Sequence, residues 1–309
     1  MPLEKASRHL GLLLAAAFSA WASYRIHVLP IEDMALPILA AIVDLQGRAP
    51  DQYRILPYLL IGALHHLQEL FTGAPSTLRY PVLVFDCLSL FAASTMLRRL
   101  LPAHSALYCS LALLLLYPFL MFDGYRPISA FILFLSVLAV LSLKELRSAN
   151  SASAGRYLLL IVLLSASRAD VALMIAAAGL GLARPGVVVS VASLATPLLM
   201  QGLLQWLIFP EAEYFSDVVM VQDNLSGRFL IASPLTWLFA GLALLFLPQI
   251  RTISRFAWQR YRITAVAVLG YVLTLFIVAR PNEYRLFLPM LPVILLLQQH
   301  LHRQTDALP

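Results

Sequence analysis

Residues 157–183 read YLLLIVLLSASRADVALMIAAAGLGLA, an apolar stretch with Arg168 and Asp170 near its middle. The stretch is either one long helix that carries two charges at its centre or two short helices that meet at SRAD. This choice decides which side of a membrane the neighbouring loops face. Composition favours neither alternative, so the choice depends on the rest of the chain.

The composition is that of a polytopic membrane protein. Of the 309 residues, 61% are hydrophobic and 12% are charged, whereas a soluble domain has roughly 25% charged residues. The net charge of +6 is spread between apolar segments, which argues against a nucleic-acid-binding surface. Cys87 and Cys109 lie inside apolar runs, so no disulfide framework is expected. The N-terminal apolar run resembles a signal peptide, but it continues towards Pro30 and favours an uncleaved first helix.

Eight apolar segments, the first helix included, predict spans at about 10–30, 80–97, 103–122, 127–143, 187–209, 229–250, 263–280 and 286–300. Segments 55–71 and 157–183 are ambiguous. If 55–71 lies on the surface and 157–183 is a hairpin, several basic residues move to the inner side, where the positive-inside rule places them. These residues are Arg98, Arg99, Lys144, Arg147 and Arg156. We therefore predict a surface helix at 55–71 and a hairpin at 157–183.

Segment 55–71 has the two faces of an in-plane amphipathic helix. Small and polar residues recur on one face and leucines cover the other; the first set is Tyr58, Gly62, His65, His66 and Glu69. The segment before it, MALPILAAIVDL, is similar. The prediction is an all-α bundle of about ten spans in a single domain, residues 1–309. An external loop at 31–79 holds two in-plane helices, the remaining bundle occupies 80–300, and both termini are cytoplasmic.

This topology gathers charged residues on the external side. Glu32 and Asp33 stand directly after the first span, and arginines follow in later external segments: Arg126, Arg168, Arg280 and Arg285. Asp86 lies inside the membrane, where a carboxylate costs about 2.5–3.5 kcal/mol at the bilayer centre and so requires a cavity or a basic partner. Arg126 and Arg168 are the candidate partners.

Other patterns carry less information. Ser167–Asp170 also matches the capping box that begins a helix. His65 and His66 are adjacent, so a helix points them in different directions and they form a poor metal pair. The sequence contains no P-loop, no GxSxG motif and no metal-ligand motif.

The chain resembles the GT-C class of membrane glycosyltransferases, which use a polyprenyl-phosphate sugar on the outer face. The similar features are the acidic pair after the first helix, a first external loop with two juxtamembrane helices, and a short helix pair after the fourth span. NEYRLFLPMLP at 282–292 resembles the late ERYLLPxLP-like segment of that class. The segment DQYRILPYLL, which begins at residue 51, is similar to a segment found in many uncharacterised bacterial membrane proteins that are grouped near the GT-C class.

The resemblance implies an enzyme of the inner (plasma) membrane. By position, Asp33 becomes the base that deprotonates the acceptor, with Glu32 as the alternative because the usual Asp-Glu order is reversed here. Arg285 and Arg280 would hold the phosphate, and the remaining predicted substrate-site residues are Arg168, Arg126, Asp86 and Tyr284. The expected partners are a polyprenyl-phosphate-linked sugar and membrane lipids. The acidic first loop permits a divalent cation without requiring one.

Two other functions stay open from the sequence. The chain is alternatively a transporter or lipid flippase, for which Asp86 is the most suggestive residue, although the halves show no convincing repeat. It is alternatively a non-catalytic membrane subunit with external carboxylates that are individually dispensable.

Overall fold

A computed structural model describes residues 2–47, 51–73, 76–102, 105–121, 127–146, 151–211, 224, 234–279 and 283–305. These residues form helices and short connections, with no strand among them. The helices are α1 (Pro2–His27), α2 (Glu32–Val43), α3 (Ile55–Thr72), α4 (Arg79–Leu97), α5 (Ala106–Leu120), α6 (Ile128–Leu146), α7 (Ser151–Leu182), α8 (Val187–Gly202), α9 (Pro234–Leu245), α10 (Leu247–Arg260), α11 (Arg262–Val278) and α12 (Leu291–Thr305). Short 3-10 turns lie at Leu29–Ile31, Asp51–Tyr53, Arg98–Leu100 and Tyr284–Met290, and a π-helical turn at Leu203–Ile208.

Within the described ranges, five helical stretches are long and apolar enough to cross a membrane. They are Ala6–Val43, Arg79–Leu100, Ile128–Leu146, Ser151–Leu182 and Val187–Ile208. A sixth is added if α9 and α10, which meet at a bend of 76°, form one broken span. The all-helical fold with several apolar helices is therefore confirmed, whereas the number of about ten spans stays a prediction.

Helix α7 is bent back on itself at Arg168, where the backbone leaves the helical region with φ −168° and ψ 95°. In a straight helix, Tyr157 and Gly179 would be about 33 Å apart. Instead, a Cβ placed on Gly179 would come within 2.9 Å of the Tyr157 hydroxyl. The two halves of α7 are therefore antiparallel neighbours, which confirms the predicted hairpin of two short helices.

The two open ends of this hairpin, at the start of its first half and the end of its second half, lie beside the last turn of α6. Arg156, in the first half, binds Glu145 with 2.8 Å between Nη1 and Oε2, and Leu182, at the end of the second half, shares a cavity with Lys144. We call the side of the bundle near Arg168 the tip end and the side near Lys144 the base end. The half-helices are about 25 and 21 Å long, so each is shorter than the roughly 30 Å hydrocarbon core of a bilayer.

Small residues allow close helix packing around the hairpin. Helix α7 packs against α6, α8 and α11. A Cβ on Gly181 would lie 2.4 Å from Thr264 Oγ1 and 2.9 Å from the Thr264 backbone nitrogen. The Thr264 hydroxyl donates to the Ala178 carbonyl at 2.9 Å. Glycine at 181 therefore lets the backbones of α7 and α11 approach each other, as small residues do between membrane helices.

Helix α3 has one side that meets the protein and one that is exposed, and this division matches the predicted faces in part. Tyr58 and Gly62 are buried, and Gly62 packs so closely that its Cβ would be 3.0 Å from a Val43 methyl group of α2. Leu67 and Leu70 are exposed. Of the predicted small and polar face, Tyr58 and Gly62 therefore meet the protein, whereas the His66 side chain is 82% exposed. The exposed leucines point away from the protein. The in-plane orientation of α3 stays a prediction.

Candidate functional site at the tip end

Arg168 is the centre of a polar cluster at the tip of the hairpin. Its guanidinium binds Asp170 through two nitrogens, with 2.8 Å from Nη2 to Oδ2 and 3.0 Å from Nε to Oδ1. Such bidentate ion pairs are strong and fix the orientation of the two side chains relative to each other. Asp170 also lies in the first turn of the second half-helix, where the helix dipole favours a negative charge. The break in α7 is therefore occupied by a neutral ion pair, with Arg168 buried in protein.

The hairpin tip is tied to the last quarter of the chain through Tyr271 of α11. Arg168 Nη2 donates to the Tyr271 hydroxyl at 3.0 Å, and that hydroxyl donates to the Leu286 carbonyl at 2.8 Å. Glu283 interacts electrostatically with Arg168 and forms an ion pair with Arg285. The cluster therefore joins the hairpin to the segment that carries the NEYRLFLPMLP sequence.

The first loop reaches the same cluster. Arg54 acts electrostatically on both Asp170 and Tyr271. It is held by Asp51, with 2.8 Å between Nη1 and Oδ1. Arg54 was not among the residues predicted from the sequence. The sequence feature that could have identified Arg54 is its position directly after the acidic loop and before an apolar helix.

Asp86 is fully buried within α4 and accepts a hydrogen bond of 2.9 Å from the Tyr117 hydroxyl. Arg285 also acts electrostatically on Tyr117. The prediction of Arg168 as a partner of Asp86 is wrong, because the Arg168 guanidinium is turned to Asp170 and Tyr271. The other predicted partner, Arg126, lies outside the described residues.

The acidic pair after the first span is divided between two environments. Glu32 accepts hydrogen bonds from Arg79, including one of 2.7 Å from Nε to Oε1, and a further bond of 2.7 Å from the Tyr24 hydroxyl. The Arg79 charge and these bonds favour the ionised form of Glu32. Asp33 is exposed, and no hydrogen bond or ion pair joins its side chain to any described residue. Arg79 is at the start of α4, two turns before Asp86, so the pair belongs to the tip end.

Other predicted residues have individual outcomes. Tyr284 shares a short hydroxyl–hydroxyl hydrogen bond with Thr236, and Arg280 lies outside the described residues. The capping-box alternative for Ser167–Asp170 does not describe the bonds formed. The Ser167 hydroxyl donates to the Leu163 carbonyl at 2.8 Å, and Asp170 binds Arg168 instead.

The tyrosines that connect these charges were not predicted from the sequence. Tyr24, Tyr117 and Tyr271 each lie within an apolar helix and place the hydroxyl on a carboxylate, a guanidinium or a carbonyl. A buried tyrosine usually finds a hydrogen-bond partner, which was the available signal. No group of three or more His, Cys, Asp or Glu residues within the described ranges is arranged to hold a metal ion.

Comparisons with protein-family models, curated proteins and solved structures found no match to the chain.

Proposed function

We propose that the chain is a membrane glycosyltransferase that moves a sugar from a polyprenyl-phosphate donor to an acceptor on the extracytoplasmic face. The tip end faces outward in this proposal, and both termini lie on the cytoplasmic side of a bacterial inner membrane. The observation that carries the proposal is the exposed Asp33 beside the ion-paired Glu32, at the end of the bundle that also holds several guanidinium groups.

Asp33 is the proposed general base. An exposed carboxylate is accessible to an acceptor hydroxyl, and accepting its proton in the transition state is worth roughly 10²- to 10⁴-fold in rate. Glu32 is a poorer candidate, because Arg79 and Tyr24 already occupy its oxygens. We assign Glu32 a positioning role: it fixes the first turn of α2 and thereby the backbone that carries Asp33.

Arg285, Arg168 and Arg54 are the proposed phosphate-binding groups. Guanidinium groups bind phosphate oxygens in pairs, and donors already in place stabilise negative charge that develops on a leaving group. In the structure these arginines are balanced by neighbouring carboxylates, Glu283, Asp170 and Asp51. A donor phosphate that reaches the tip end would compete with those carboxylates for the arginines. The ion pairs are neutral when no donor is bound, and the arginines can bind the negative phosphate when it is present.

The exposed leucine face of α3 is the proposed route for the donor's lipid chain. Leu59, Leu67 and Leu70 are exposed, and α3 packs against α7 and α4 on its other side. A polyprenyl chain that lies against this face would keep its phosphate close to Arg54, which directly precedes the helix.

Native mass spectrometry of protein extracted from its own membrane tests the proposal. The expected result is a bound polyprenyl phosphate carrying a sugar, whose mass identifies the sugar. Adding a crude membrane extract as acceptor should convert the bound donor to the sugar-free form. Replacing Asp33 with Asn should keep the donor bound but slow this conversion by roughly 10²- to 10⁴-fold, and Asp44→Asn, an exposed change at the end of α2, is the matched control. Wild-type conversion by the Asp33→Asn protein would refute the role of Asp33.

A transporter or lipid flippase is the second candidate, because the Asp86–Tyr117 pair is buried inside an apolar helix bundle and intramembrane carboxylates often serve transport. In proteoliposomes, a short-chain fluorescent phospholipid would then cross between leaflets. Loss of crossing in Asp86→Asn, with crossing retained in Asp33→Asn, would favour this candidate over the enzyme.

A further inference from the structure

The base end contains a cavity that the proposed glycosyl transfer does not use. It has a volume of about 160 Å³ and lies between the ends of α6, α7 and α12. Its lining divides into an apolar part and a basic part: Leu143, Leu182 and Leu296, then Lys144, His300 and Arg303. No described carboxylate contributes to the lining.

The positive charge around this cavity is not balanced by the neighbouring acid. Lys144 donates to a neutral partner, with 2.6 Å from Nζ to Gln299 Oε1. Glu145, the next residue, forms an ion pair with Arg156. Arg303 is exposed, makes no ion pair with any described residue, and interacts electrostatically with Lys144. Two like charges that share a cavity attract an anion between them.

A basic amphipathic helix lies beside the cavity. Helix α10 packs against α11 and α12, and Tyr261, the residue that follows α10, stacks on the His300 ring with 5.3 Å between centroids. Trp258 is half exposed, and the Arg262 guanidinium lies 5.5 Å from its ring centroid. Exposed arginines continue along the helix: Arg251, Arg255 and Arg260. Helices of this composition lie at the membrane surface, an orientation that would put the cavity at the depth of lipid headgroups.

We propose that this cavity binds the phosphate of an anionic phospholipid from the cytoplasmic leaflet. Lys144 and Arg303 donate to the phosphate oxygens, and the apolar residues Leu143, Leu182 and Leu296 contact the glycerol and the first methylenes. Inorganic phosphate offers the same charge but no apolar part, so it would use only the basic half of the lining. The lipid is the proposed occupant because the cavity joins both kinds of lining at an interfacial depth.

Binding to the whole chain in a neutral detergent tests the proposal, with native mass spectrometry as the readout. Phosphatidylglycerol, phosphatidylcholine and inorganic phosphate are the three probes. Each basic residue near a membrane surface contributes about fivefold to anionic-lipid affinity. We therefore expect phosphatidylglycerol affinity to fall about fivefold in Lys144→Gln or Arg303→Gln and about thirtyfold in the double variant. Phosphatidylcholine affinity should not change.

Two further variants keep the result interpretable. Arg99→Gln removes an equal charge at the same end of the bundle but outside the cavity lining, and should bind phosphatidylglycerol like the wild type. Arg303→Lys keeps the charge and should restore most of the affinity. Because Arg303 is exposed, its single substitutions leave the folded bundle in place even if the double variant unfolds.

Either of two results would overturn the proposal. One is equal phosphatidylglycerol affinity in wild type, Lys144→Gln and Arg303→Gln. The other is phosphate binding that depends on Lys144 and Arg303 while phosphatidylglycerol binding does not, which would make the cavity a site for a free anion.

Discussion

The tip end and the base end of the bundle carry charge in different ways. At the tip end, four arginines each have a carboxylate partner: Arg54 with Asp51, Arg79 with Glu32, Arg168 with Asp170 and Arg285 with Glu283. At the base end, Arg156 binds Glu145. Three other basic residues there, Arg99, Lys144 and Arg303, make no ion pair with any described residue.

This difference separates two uses of a basic residue in a membrane protein. An arginine that is paired with a carboxylate can lie deep in the bundle because the pair as a whole is neutral. Such an arginine can also exchange its carboxylate partner for an anionic substrate. An unpaired basic residue at an interface instead interacts with anionic lipid and fixes orientation. Paired arginines characterise the tip end, and basic residues without an ion pair characterise the base end. This agrees with the proposal that the tip end faces outward and the base end faces inward.

Replacing Arg168 with Met should have the largest effect on stability. The change leaves the Asp170 carboxylate without its partner at the break in α7. Because the Asp170 side chain is 38% exposed, we expect a cost of about 2.5 kcal/mol, below that of breaking a fully buried ion pair. Thermal unfolding in detergent should show a lower midpoint. The double variant Arg168→Met, Asp170→Asn should recover part of the loss because no charge is left unbalanced. A single variant as stable as the wild type would show that pairing at the tip end does not stabilise the fold.

Replacing Gly181 with Ala should have the next largest effect, because it tests the hairpin that defines the two ends. The added methyl group meets the backbone nitrogen of Thr264 at 2.9 Å, and overpacking of this kind costs about 2 kcal/mol. Gly270→Ala in α11 is the matched control, since nothing lies within 4 Å of its Cβ position. Equal unfolding midpoints for the two variants would contradict the close approach of α7 and α11.

Replacing Tyr271 with Phe should cost less, about 1 kcal/mol of folding free energy. The change removes the hydroxyl between Arg168 and the Leu286 carbonyl but keeps the ring in place and the Arg168–Asp170 pair intact. Tyr261→Phe at the base end is the control, because that ring stacks on His300. Equal unfolding midpoints for Tyr271→Phe and Tyr261→Phe would contradict a stabilising role for the Tyr271 hydroxyl.

Replacing Arg99 with Gln should have the smallest effect, within about 0.5 kcal/mol, because the side chain is exposed and its charge has no described partner. The unfolding midpoint in a neutral detergent checks this prediction. A large loss would mean that basic residues of the base end stabilise the bundle directly, and the contrast between the two ends would no longer hold.

The sequence predicted the hairpin correctly because one signal located a possible turn and a second signal chose between the two alternatives. Arg168 and Asp170 interrupt an apolar run, and the distribution of Lys and Arg required the chain to return to the same side. The sequence did not reveal the direction of α3, since an apolar face next to lipid is as favourable as one in a protein core. It therefore showed that α3 has two faces without showing which one meets the protein.

The partners within the tip cluster could not be predicted from local patterns. Arg79 and Glu32 are 47 positions apart, and Arg168 and Tyr271 are 103 apart, so packing decides these pairs. The sequence instead suggested Arg168 for Asp86, because both were expected near the outer face. It did identify Asp33, Glu32, Arg168 and Arg285 as candidates, and their roles stay predictions.

The fold of α7 also has a consequence for biosynthesis. A half-helix that enters the bilayer alone would carry an unbalanced charge at its end and would be too short to reach the other surface. When both halves enter together, Arg168 and Asp170 meet at the turn and the inserting unit is electrically neutral. We therefore expect the two halves to be integrated as one unit, after the ribosome has released both of them.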